Sequence, residues 1–150
     1  MIDRYKVYQL MTHNPVIMGS GKTVKEAALA MKEKGTGSVL VVDGDSLKGL
    51  LTEKDVMYKV TAFDKKPSEV LVDDIMTLEK EVVSIESTKS IYDAMVLMNN
   101  DSVRRLPVVD NGVLKGIITA KDILKVEPEL FDTVVDNYRL REEDRKKEFF

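Results

Sequence analysis

Cysteine is absent from this chain of 150 residues, and histidine occurs once, at His13. The first absence excludes disulfides, a thiol nucleophile and thiolate metal sites, and the second excludes a histidine-rich metal cluster. No apolar run approaches the roughly 20 residues that a transmembrane helix needs. The opening MIDRYKVYQL lacks the apolar core of a signal peptide. Basic residues are not in excess either. The formal charge of −3 and a pI near 5.3 argue against broad nucleic-acid or membrane-surface binding. What remains is 43% hydrophobic and 33% charged, enough for a packed core beneath a well-solvated surface. A soluble cytoplasmic protein is expected, built as one ordinary domain or two small ones.

The chain matches itself at an offset of 67 residues. The stretch from Val24, VKEAALAMKEKGTGSVLVVDGDSLKGLLTEKDV, lies without a gap over IYDAMVLMNNDSVRRLPVVDNGVLKGIITAKDI, which starts at Ile91. Upstream, LMTHNPVIM corresponds to IMTLEKEVVSI with small length differences. This is a tandem duplication.

Each copy reads alike. Val24, Ala27, Ala28 and Met31 recur at i, i+3, i+4 and i+7, as do Ile91, Ala94, Met95 and Met98, so each set predicts one apolar helix stripe. Thr23 and Ser90 are placed to cap these helices. Two β-rich runs follow in each copy: Val39–Val42 with Leu47–Leu51, and Leu106–Val109 with Val113–Ile118. Asp110-Asn111-Gly112 signals a type I′ hairpin turn, and Asp43-Gly44-Asp45 is assigned the same role. A second helix is expected from Thr52 or Thr119, and a short strand at Val16–Met18 or Val82–Ile85. Each copy is therefore an α/β unit of order β-α-β-β-α. One copy is too small to bury both faces of its sheet. Two interlocked copies related by approximate pseudo-twofold symmetry satisfy that need, with Phe63–Pro67 as the linker.

The strand-to-helix junction carries the chemistry. Gly49-Leu-Leu-Thr52-Glu-Lys-Asp55 recurs as Gly116-Ile-Ile-Thr119-Ala-Lys-Asp122. Unpaired N–H groups at a helix start favour an anion. A threonine there offers a hydroxyl to a phosphate oxygen, and a carboxylate one turn later matches the cis-diol of a ribose. Thr-x-x-Asp is equally a capping box, which needs no ligand. Before the central strand the copies differ: Gly37-Ser38 in the first, Arg104-Arg105 in the second. Arginine's planar fork suits a phosphate. Arg105 leads directly into Leu106-Pro107-Val108-Val109. Lys54 and Lys121 lie within the junction motif, within reach of a phosphate or simply solvated.

The pattern from about Val7 to Val126 resembles the cystathionine-β-synthase-type (CBS) domain pair. The resemblance rests on Leu10-Met11-Thr12 with Ile75-Met76-Thr77, the paired amphipathic helices, Val-Val-Asp before each turn, and the Gly-h-h-Thr-x-x-Asp endings. It implies repeats at 1–63 and 68–126 and two clefts for adenosine-containing ligands: AMP, ADP, ATP or S-adenosylmethionine. Asp55 and Asp122 would then hold ribose hydroxyls, and Thr52 and Thr119 phosphate. Thr12, Pro15 and Val16 would line one adenine pocket, and Thr77, Val82 and Val83 the other. Each cleft would draw its opening strand from one repeat and its junction from the other. Ser38 and Arg105 would flank the clefts, beside Pro107 and Lys121, with the Arg105 site the stronger. The family also implies a homodimer and a regulated enzyme or transporter as partner.

Beyond the repeats, Glu127-Pro128 ends the second unit. Phe131, Val134, Val135 and Tyr138 predict a further helix in a C-terminal extension, 127–150. With no Ser-His pair, clustered carboxylates or metal set, catalysis is not expected. Two functions stand. One is a ligand-sensing regulatory module that shifts a conformational population. The other is a dimerisation scaffold that binds nothing, its Thr/Asp pairs serving only as caps.

Overall fold

Thr23 and Ser90 fix the starts of the two longest helices among the described residues, α2 (Val24–Lys34) and α5 (Ile91–Asn100). In the computed structural model, which describes residues 4–130 and Asp132, both form the reciprocal capping box. The Thr23 and Ser90 hydroxyls accept from the N–H groups of Glu26 and Asp93, whose carboxylates accept from Thr23 N and Ser90 N. Val24, Ala27 and Met31 are buried on α2, and Ile91, Ala94, Met95 and Met98 on α5. Ala28, expected in the first stripe, is exposed. It lies on the margin of the apolar face, where a methyl group is too short to reach back. Met95, at the same place in the second copy, is long and flexible enough to do so.

The β-rich runs form two hairpins: β2 (Ser38–Asp43) with β3 (Ser46–Thr52), and β5 (Arg105–Asp110) with β6 (Val113–Thr119). Asn111 and Gly112 both have positive φ, 50° and 80°, as a type I′ turn demands. The first turn differs from expectation. Only Gly44 has positive φ there, and the pairing slips by a residue between Val41 and Val42.

The described residues form two compact units. One holds residues 14–82 with the hairpin tip 111–114, and the other holds the chain up to His13, 83–110, and 115 onward. In the first, β1 (Ile17–Gly19) runs parallel to β2, and β4 (Thr77–Leu78) runs antiparallel to β3, giving the order β1-β2-β3-β4. In the second, a parallel bridge joins Ile85 to Val108 and an antiparallel bridge joins Thr12 to Ile117. The strand expected at Val82–Ile85 thus shrinks to one bridge. The reason lies in Pro107. Leu40 donates its N–H to Val16 O at 2.9 Å, but Pro107, its counterpart, has no N–H to give Val83.

Phe63–Pro67 runs inside the 14–82 unit, because Val72 and Ile75 beyond it join Val24, Val39, Leu51 and Val60 in one core. The other core gathers Val7, Ile91, Met98, Leu106, Ile118 and Ile123. Two glycines admit the crossing segments. A Cβ on Gly49 would fall 2.7 Å from Thr77 O, and one on Gly116 would collide with Thr12 O. Short helices flank these crossings: α1 (Val7–Leu10), α3 (Glu53–Lys59), α4 (Val72–Ile75) and α6 (Ala120–Leu124). The expected helix through Phe131, Val134, Val135 and Tyr138 lies outside the described residues. Among the described residues no helix is long and apolar enough to cross a membrane.

Candidate functional site

Each strand-to-helix junction forms a corner, and at both corners threonine and aspartate close on each other. Thr52 Oγ1 accepts from Asp55 N at 3.2 Å and donates to Asp55 Oδ2 at 3.1 Å, while Thr52 N donates to the same oxygen at 2.9 Å. Thr119 and Asp122 repeat the arrangement at 3.3, 3.0 and 2.9 Å. Thr52 and Thr119 are therefore the N-caps of α3 and α6, and the capping role is realised at both. In each pair the cap uses Oδ2 alone, which leaves Oδ1.

The fate of that second oxygen separates the corners. Asp55 Oδ1 lies 3.0 Å from Lys59 Nζ, which also donates to Ile75 O at 2.8 Å. The Asp55 side chain is only 14% exposed, but that of Lys59 is 47% exposed, so the pair is half open to solvent. Lys59 has Val126 as its counterpart one repeat later, and valine offers Asp122 no such partner.

The strand entrances differ in charge. Glu53 N donates to Gly37 O at 2.9 Å and Ala120 N to Arg104 O at 2.9 Å, so each helix start is tied to the residue before its central strand. At the first corner the Glu53 carboxylate lies over Gly37, its Oε1 2.8 Å from where a Cβ would stand. Ser38 beside it is buried. At the second corner the same positions carry Ala120, Arg104 and Arg105, both arginines half-buried and engaged. Lys54 reaches over the ring of Tyr58, 5.5 Å from its centroid. Lys121 is exposed and has Lys125 where Lys54 has Tyr58.

The expected adenine-pocket residues fall in both units. Thr12 pairs with Ile117 in both directions, at 2.8 and 3.1 Å, in the unit that holds Thr119, Asp122, Arg105, Pro107 and Val83. Pro15 and Val16 belong with Ser38, Thr52 and Asp55, as do Thr77 and Val82. The unit borders pass between residues 13 and 14 and between residues 82 and 83. The threonine of each opening segment meets the other repeat's strand, but β1 stays with its own. The reason is the ladder: β1 pairs with β2 of its own copy from Ile17 to Gly19, whereas Thr12 precedes it and is free to cross. Lys59 and Glu53 escaped the sequence reading. Glu53 facing Ala120 in the alignment, and Asp55 preceding Lys59 by four residues on a helix, were the available signals.

Among the described residues no group of three or more His, Cys, Asp or Glu side chains is placed to hold a metal ion. A family model for the CBS domain matches twice, over residues 7–62 and 72–129. The chain is 41% identical over 132 residues to an uncharacterized protein of Methanopyrus kandleri, covering 86% of this chain and 66% of that one. It is 38% identical over 105 residues to an uncharacterized protein of Methanocaldococcus jannaschii, covering 69% of this chain and 33% of that one. The chain thus spans between a third and two thirds of these relatives. Among solved structures, a hexameric CBS-CP12 protein from bloom-forming cyanobacteria aligns with a TM-score of 0.71 at 32% identity, over 80% of this chain and 66% of that one.

Proposed function

We propose, from the premise that this chain belongs to the CBS-domain family as a tandem pair, that it is a non-catalytic regulatory module sensing an adenosine-containing ligand. The ligand class is AMP, ADP, ATP or S-adenosylmethionine. The supporting observation is Asp122: its cap consumes one carboxylate oxygen and leaves Oδ1 for a ribose hydroxyl. Thr119 and Arg105 supply the phosphate side in this reading, with Lys121 exposed nearby and Thr12, Val83 and Pro107 in the same unit. Bound ligand acts by differential affinity, shifting the population of conformations or oligomers that a partner reads. The hexameric assembly of the cyanobacterial relative supports an oligomeric readout.

A second reading is a ligand-free association scaffold, and one observation favours it. Both Thr/Asp pairs are already satisfied as capping boxes. A thermal-shift panel separates the two. An adenosine compound at about 100 times its dissociation constant stabilises the native state by roughly 2.7 kcal/mol, whereas guanine nucleotides leave the melt unmoved. A panel in which no adenosine compound raises the melting temperature leaves the scaffold.

A further inference from the structure

The two corners descend from one duplicated sequence, yet every difference between them points the same way. Asp55 Oδ1 is held by Lys59, which is itself anchored on Ile75 O at the end of α4. Glu53, next to Thr52, places a carboxylate over Gly37, whose carbonyl accepts from Glu53 N. Lys54, which could offset that charge, is drawn onto the Tyr58 ring. At the second corner the four counterparts are Val126, Ala120, Lys121 and Lys125, and none repeats these contacts.

From this contrast we infer that the Thr52–Asp55 corner has become a structural brace closed to nucleotides, with Lys59 and Glu53 as the residues that close it. Lys59 competes with a ribose for the one carboxylate oxygen the cap leaves over. Glu53, exposed at the start of α3, repels a phosphate by like charge at short range. The chain accordingly takes one nucleotide, at the second corner. This deepens the nucleotide-sensing reading above and rests on it.

The test exchanges the closing residues for their second-repeat counterparts. Native mass spectrometry and titration calorimetry with AMP are run on the full-length chain, as wild type and as Glu53→Ala/Lys59→Val. The expected result is one AMP per chain for the wild type and two for the double variant. Adding Asp122→Ala to the double variant returns the count to one. Two AMP per chain in the wild type, or one in the wild type and still one in a double variant that melts cooperatively, overturns the closure. No uptake by either protein of AMP, or of ADP, ATP or S-adenosylmethionine titrated in its place, overturns the sensing reading itself and the closure with it. No AMP in the wild type beside one in the double variant keeps the closure and overturns the second corner as a site. Should the double variant fail to melt cooperatively, Lys59→Met and Glu53→Gln carry the same readout singly, each expected to bind more than one AMP per chain. Uptake unchanged in both singles overturns the closure.

Discussion

Lys59 Nζ lies 3.0 Å from Asp55 Oδ1, whereas one repeat later Asp122 faces a helix that ends in Leu124 and continues to an uncharged Val126. The aspartates thus share a cap and differ in what else they hold. Asp55→Ala removes a capping box and an ion pair; Asp122→Ala removes the box alone. Cap loss costs about 1 kcal/mol, and a half-exposed i, i+4 pair adds about 0.5 kcal/mol. Without ligand, Asp55→Ala is therefore expected to be the more destabilised variant. Urea midpoints at unchanged slope measure the difference.

Gly116 and Gly49 are sites of backbone crossing, and their alanine variants are expected to differ. A methyl on Gly116 meets the Thr12 carbonyl, which accepts from Ile117 N while Thr12 N donates to Ile117 O. A methyl on Gly49 meets Met76 Sδ and Thr77 O, and the thioether can swing away. Each overpacked site costs about 1–3 kcal/mol, with Gly116→Ala nearer the top of that range. Thermal unfolding of the two variants side by side checks the order.

Asp110 accepts from Ser87 Oγ at 2.5 Å and from Ser87 N at 2.9 Å. These bonds, the hydroxyl first, hold its carboxyl below the usual carboxylate range, and Lys115 adds a smaller pull. A carboxylate whose folded pKa lies below its unfolded one stabilises the fold above the unfolded value and loses that contribution as pH falls through the folded one. Ser87→Ala is expected to lower stability by about 1 kcal/mol at pH 7. The gap to the wild type should close on acidification below about pH 4, the unfolded carboxylate range. Urea melts at pH 7 and pH 3 decide the matter.

Much of this architecture was legible because local signals and the repeat agree. Thr23, Ser90, Thr52 and Thr119 each precede an acidic residue by three positions, and each became an N-cap with its box closed. Asn111-Gly112 gave its turn directly. What escaped the reading was non-local. Nothing near Thr12 announces that it pairs with Ile117, since that bridge depends on the space at Gly116 in the other repeat. Pro107 reads in the sequence as part of a strand, but its missing N–H, which cuts the Val82–Ile85 strand to one bridge, matters only once the partner strand is known. At the corners the repeat drew attention to what is shared, Thr and Asp, whereas the difference lies in Glu53 and Lys59.

The most direct measurement is calorimetric titration of AMP, ADP, ATP and S-adenosylmethionine into the wild type and into Asp122→Ala. The account predicts saturable binding of at least one of these by the wild type. It predicts a loss of about tenfold to a hundredfold in the variant, the worth of roughly 1.5–3 kcal/mol for a hydrogen bond to a charged group. Affinity that survives the Asp122→Ala change intact would contradict it.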